Sequence, residues 1–146
     1  MGKIIFIDNR KSIVDKVSAI GITSICGDYF QEITKIPNHV ICSASKPNFT
    51  FGGGFDLALN EHFPLYCYEK KKRSYIGNER IGNVCFVITV DDRINANKEL
   101  VKEALQFATA NTLPYETLCV MGLGTAIGRL SEVDFVEILK EVLNNI

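Results

Sequence analysis

Two runs of glycine mark places where the backbone itself could do chemistry. Gly52, Gly53 and Gly54 precede Phe55 and Asp56; later, Gly122, Gly124 and Gly128 frame Thr125, Ala126 and Ile127. Glycine leaves backbone N–H groups uncovered by a Cβ. At the start of a helix those donors and the positive end of the dipole point the same way, which makes an anion site. Each run could instead be a turn that only lets helix and strand approach closely; the recurrence of a second such loop favours the anion reading. Asp56 falls in the first turn of the helix after the first loop, where the dipole stabilises a carboxylate. Neither loop carries the Gly-Lys-Ser or Gly-Lys-Thr of a P-loop. The Gly122–Gly128 spacing misses the dinucleotide fingerprint by one residue and leaves no later strand to carry a ribose-binding carboxylate. What remains is a pair of backbone-rich loops suited to a diphosphate that bridges two other groups.

Other reactive side chains point away from metal and disulfide chemistry. Cys26, Cys42, Cys67, Cys85 and Cys119 are odd in number, scattered and without a Cys-x-x-Cys pair, and the histidines are His39 and His62 alone. Buried, reduced thiols in a cytoplasmic protein are expected, with no metal and no cofactor. Nothing next to Cys42 would lower its pKa, which argues against a nucleophile. Glu69 to Arg73 (EKKKR), between Tyr68 and Tyr75, reads as a solvated loop or hairpin, with single-stranded nucleic acid as the lesser reading. The formal charge of −1 argues against broad nucleic-acid binding. No apolar run is long enough to span a membrane, and the N-terminus lacks a signal-peptide layout.

The elements that must position the glycine loops follow from periodicity. At 146 residues, 47% apolar and 23% charged, one globular domain, 1–146, is expected. Lys3 to Asp8, Ile22 to Cys26, His39 to Ser43, Val84 to Val90 and Thr117 to Met121 read as buried strands. Between them lie helical stripes. Ile13, Val14, Val17 and Ile20 follow a capping-box-like start at Ser12 and Asp15, and Gly21 closes that helix. Phe55, Leu57, Ala58, Leu59 and Phe63 supply the helix after the first glycine loop. Asn97 caps a helix carrying Leu100, Val101, Ala104, Leu105 and Ala108, and Ser131 caps the last one. Pro64 to Gly82 is the least regular segment. Alternation of strands and helices predicts a three-layer α/β/α sandwich with a mixed, mostly parallel sheet. In such sheets ligands sit off the carboxyl ends of strands, where both glycine loops lie.

Four pieces in this order resemble the macro domain family, over roughly Ile22 to Leu143. They are Gly27-Asp28 after the second strand, Ile41 to Ser45 (ICSAS) beside the family's VNAAN-like strand end, Gly52 to Leu59 (GGGFDLAL) beside GGGVDGAI, and Gly122 to Gly128 as a second phosphate loop. The resemblance implies binding of ADP-ribose or a related nucleotide. Asp28 would then accept from the adenine amino group, a role whose geometry it shares with an ordinary N-cap. Gly52, Gly53, Gly54 and Phe55 would meet the phosphates and proximal ribose. Gly122 and the stretch Gly124, Thr125, Ala126, Ile127 and Gly128 would close over the diphosphate, with Ser43, Ala44 and Ser45 near the distal ribose.

The same resemblance implies candidate catalysis. Asp56 stands where MacroD-type hydrolases carry a catalytic aspartate, able to activate a water against the anomeric carbon. Ser45 replaces the asparagine that ends VNAAN, with a shorter reach and no amide donor. In short length and in a closing Arg129-Leu130 the chain is also similar to compact macro domains; some of these use a lysine and an aspartate where Asn60 and Ile127 lie here, which leaves that mechanism unsupported. In phosphatases acting on ADP-ribose 1″-phosphate a histidine ends the central strand; the comparable residue is about Cys42, while His39 marks the strand entrance and His62 a surface position. The resemblance therefore implies a protein that binds ADP-ribose or a related nucleotide, and it leaves two classes open. One is an enzyme that hydrolyses ADP-ribosyl linkages on a protein, nucleic acid or small derivative with Asp56 assisting a water; the other is a non-catalytic binding module, with such a phosphatase as a further alternative. A monomer is expected. The unit Lys3 to Ile20 carries no functional signal.

Overall fold

The computed structural model describes residues 2–50, 54–126 and 128–145. Five strands run parallel: β1 (Lys3–Asp8), β2 (Ser24–Cys26), β3 (His39–Ser45), β5 (Val84–Ile88) and β6 (Thr117–Val120); β4 (Glu79–Ile81) is an antiparallel edge. The sheet order is β2-β1-β6-β3-β5-β4. The parallel strands are apolar on both faces because helices cover both.

Strand alternation sorts the core into two layers. Phe6, Val40, Cys42, Cys85, Val87, Leu118 and Val120 face α1 (Lys11–Ala19), α5 (Lys98–Ala110) and α6 (Glu132–Asn144). Ile7, Ile41, Val84, Phe86 and Cys119 face α2 (Tyr29–Ile33), α3 (Gly54–His62) and α4 (Pro64–Lys72). The result is an α/β fold with helices on either side of a mixed, mostly parallel sheet. Asn97 and Ser131 cap α5 and α6 as the pattern predicts, accepting from Leu100 N–H at 2.8 Å and Asp134 N–H at 3.0 Å.

Local expectations fail where tertiary contacts override them. The Ser12–Asp15 capping box is absent: α1 begins at Lys11, the N–H of Arg10 is taken by the Asp8 carboxylate at 3.0 Å, and the Ser12 hydroxyl donates to Glu132. Leu57 is exposed on α3 instead of facing the sheet. Pro64 to Gly82 holds α4, a short 3₁₀ turn at Ser74–Ile76 and β4. Lys70, expected in solvent, is fully buried. Its ammonium donates to Glu79 at 3.1 Å and to the Arg73 carbonyl at 3.2 Å, and lies 4.5 Å from the centre of the Phe49 ring. The pairing satisfies a charge that burial would otherwise penalise.

Candidate functional site

A cleft opens where two central strands part company. β3 and β6 pair through Ile41 and Cys119. Beyond that point the chain after β3 leads to α3 on one face, and the chain after β6 leads to α6 on the other. Such a reversal leaves a crevice at the carboxyl ends of the strands. The Tyr29 hydroxyl wedges the crevice from below, donating to the Cys119 carbonyl at 2.6 Å and accepting from Cys42 N–H at 3.3 Å.

The cavity above it is about 350 Å³, within the usual range for small-molecule sites. One wall is the end of β3 and the start of α3: Ala44, Ser45, Lys46, Phe55 and Asp56. The facing wall is the second glycine loop, with Gly122, Gly124, Ala126 and Gly128. A third side comes from the segment after β5, with Thr89, Val90 and Ile94.

Close approach explains two of the glycines. Gly124 has φ +75°, and a Cβ there would come within 2.8 Å of Ala96 Cβ. At Gly128 a Cβ would meet the Gly124 carbonyl at 2.7 Å, and the Gly128 carbonyl accepts from Ala96 N–H at 3.0 Å. Backbone donors in the loop are unequally available. Gly122 N–H goes to Asp8, and Thr125 N–H to the Gly122 carbonyl at 3.2 Å. Among the described residues, the N–H groups of Gly124 and Ala126 meet no acceptor.

Asp56 is 8% exposed and accepts a 3.0 Å hydrogen bond from Ser45 Oγ. Burial pushes its carboxyl up to about 6, against the opposing effects of the Ser45 hydroxyl and the Lys46 charge. Such a carboxylate is mostly ionised at neutral pH, yet basic enough to accept a proton. Phe55 is fixed at the rim by stacking on Phe30 at 5.1 Å between centroids and by an edge contact with Tyr29. His62 stacks on Phe30 at 4.5 Å and is exposed.

Other predicted residues lie elsewhere. Gly27 and Asp28 do not line this cavity: Gly27 N–H donates to the Asp8 carbonyl, and Asp28 caps α2 by accepting from Gln31 N–H at 2.9 Å. Ser43 shares the face of Ser45 but lies deeper, its buried hydroxyl without a partner among the described residues. Thr125 is turned to Arg10 and to the Gly122 carbonyl. Gly52, Gly53 and Ile127 lie outside the described residues. Cys42 is buried, which holds its thiol well above the ordinary range and suits packing better than attack. No cluster of three or more potential metal ligands occurs among the described residues, and no helix there is long and apolar enough to cross a membrane.

Lys46, Thr89 and Ile94 belong to the cavity without any sequence signal. Lys46 simply follows the β3 serines, and Ile94 is carried in by a turn closed on Asp91 Oδ1, which accepts from Arg93 and Asn95 N–H. A scan against protein-family models and a search of curated proteins both return no match.

Proposed function

We propose that this cavity binds ADP-ribose or a closely related nucleotide, and that Asp56 assists a water in releasing ADP-ribose from a modified protein or nucleic acid. One observation carries the reading: residues directly after the first glycine loop and residues of the second border a single cleft, with Asp56 in its wall. The N–H groups of Gly124 and Ala126, which meet no acceptor among the described residues, are suited to diphosphate oxygens, and Lys46 adds the cation an anionic ligand calls for. Asp56 lies with Ser45 at the end of β3, the place that the macro-domain resemblance gives to the distal ribose. There it would take a proton from water as the oxygen bonds to the anomeric carbon. The bond to the acceptor breaks, and the departing group keeps the electron pair and picks up a proton.

A binder without turnover is the second reading, favoured by one contact. The Ser45 hydroxyl already donates to Asp56 and holds it in place as a structural acceptor. Calorimetry with ADP-ribose, followed by incubation with an ADP-ribosylated peptide, separates the two. Hydrolysis predicts ADP-ribose release by the wild type and loss of release in Asp56→Ala. Binding without release supports the second reading, and no binding by the wild type refutes both.

A further inference from the structure

The first strand ends in a side-chain clamp on the second glycine loop. Asp8 is 3% exposed at the carboxyl end of β1. Its Oδ1 accepts from Arg10 N–H at 3.0 Å and Nε at 2.9 Å. Its Oδ2 accepts from Arg10 Nη2 at 2.9 Å and from Gly122 N–H at 3.1 Å. Arg10 Nη2 also donates to Thr125 Oγ1 at 2.7 Å, and that hydroxyl donates to the Gly122 carbonyl at 2.6 Å. The circuit joins residues more than a hundred positions apart and holds both ends of the Gly122–Thr125 turn.

We infer that Asp8 and Arg10 are positioning residues that preset this turn before any ligand arrives. A glycine-rich loop left free would have to be ordered at the moment of binding, which lowers affinity. The clamp does that ordering during folding. It also sets where an anion is met. The carboxylate of Asp8 occupies the first N–H of the loop, so an incoming phosphate is received from Gly124 onward. A Cβ at position 122 would lie 2.7 Å from Arg10 Nη2 and from Thr125 Oγ1, so glycine is what lets the guanidinium pass this close. Lysine at position 10 could keep the charge but not the planar fork that engages both carboxylate oxygens.

The consequence for binding rests on the proposed ligand class; the consequence for the loop does not. Arg10→Ala and Arg10→Lys are compared with the wild type by backbone amide exchange without ligand, and by calorimetry with ADP-ribose and with AMP, which lacks the diphosphate. In Arg10→Ala, exchange at Gly122 and Thr125 rises about tenfold or more as the turn opens locally. ADP-ribose affinity falls about tenfold as ordering is deferred to binding, while AMP affinity changes less than about twofold. Arg10→Lys restores only part of either loss. Wild-type exchange rates in Arg10→Ala overturn the inference, as does an equal loss for AMP and ADP-ribose, which signals general damage. Should the wild type fail to bind ADP-ribose, the functional proposal falls and the exchange rates alone decide the clamp.

Discussion

Replacing Asp56 by asparagine should make the protein more stable at alkaline pH, although it removes the residue proposed to do chemistry. The carboxyl titrates near 6 when folded, against an ordinary value of 3.8, because burial penalises the charged form. A folded-state pKa above the unfolded one means that the protonated form is preferred on folding. Its contribution is complete below about 3.8 and is lost as pH rises through about 6. The shift of about two units corresponds to about 3 kcal/mol of stability missing at pH 8. Asparagine keeps an oxygen to accept from Ser45 and carries no charge at any pH. Asp56→Asn should therefore match the wild type near pH 4 and exceed it by about 3 kcal/mol at pH 8, or about 10 °C in melting temperature for a chain of this size. Thermal melts of both proteins at half-unit intervals from pH 4 to 8 test this, because taking the difference cancels every other titrating group. Curves that stay parallel across the range, or a variant less stable at pH 8, would refute the assignment of Asp56 to a dry, charge-averse site. Stabilisation accompanied by loss of ADP-ribose release would mark it as strain retained for function.

Substitutions at three other positions probe separate parts of the structure. Lys70→Ala strips one partner from a buried ion pair and empties the space against Phe49; a loss of about 2–3 kcal/mol in urea unfolding is expected, since Glu79 keeps its 3.0 Å contact with Arg73. Lys70→Met, filling the same volume, should lose less. Asp28→Ala removes the α2 cap and should cost about 1 kcal/mol, while Asp28→Asn keeps it; a drop in ADP-ribose affinity in the asparagine variant would assign Asp28 to adenine recognition, and unchanged affinity would leave it a cap. Ile94 holds φ +61°, a left-handed conformation costly for a β-branched side chain, at 37% exposure. Ile94→Asn should raise stability by about 1 kcal/mol in chemical denaturation while weakening ligand binding at the rim.

The layered α/β architecture was legible because it depends on patterns that burial enforces on every strand. Continuous apolar runs at Lys3–Asp8 and Val84–Ile88 belong to strands covered on both faces, and the helix stripes between them are the covering. That Phe55 and Asp56, just after the first glycine run, share a cavity with the second glycine loop follows from the same pattern, since both stretches come after parallel strands whose carboxyl ends lie along one edge. Three features were not. The burial of Lys70 depends on Glu79, which approaches only because β4 pairs back onto β5. The shape of the α1 start depends on Asp8, whose carboxylate is aimed by contacts with a loop far along the chain. Ile94 reaches the cavity through a turn closed on Asp91, and nothing in the adjacent sequence says which cavity such a polar turn serves.

The position of β6 has a bearing on how the chain must be assembled. Among the described residues it alone pairs with both β1 and β3, joining a two-stranded piece to a three-stranded one. During synthesis, β1 and β3 therefore wait with unpaired backbone N–H and C=O groups along one edge until Val120 has emerged, and no shorter chain can complete the sheet. Such distant pairing slows maturation and leaves sticky intermediates in the interval. The last central strand to be made is the keystone, and a nascent polypeptide released before it would favour aggregation over a truncated but soluble product.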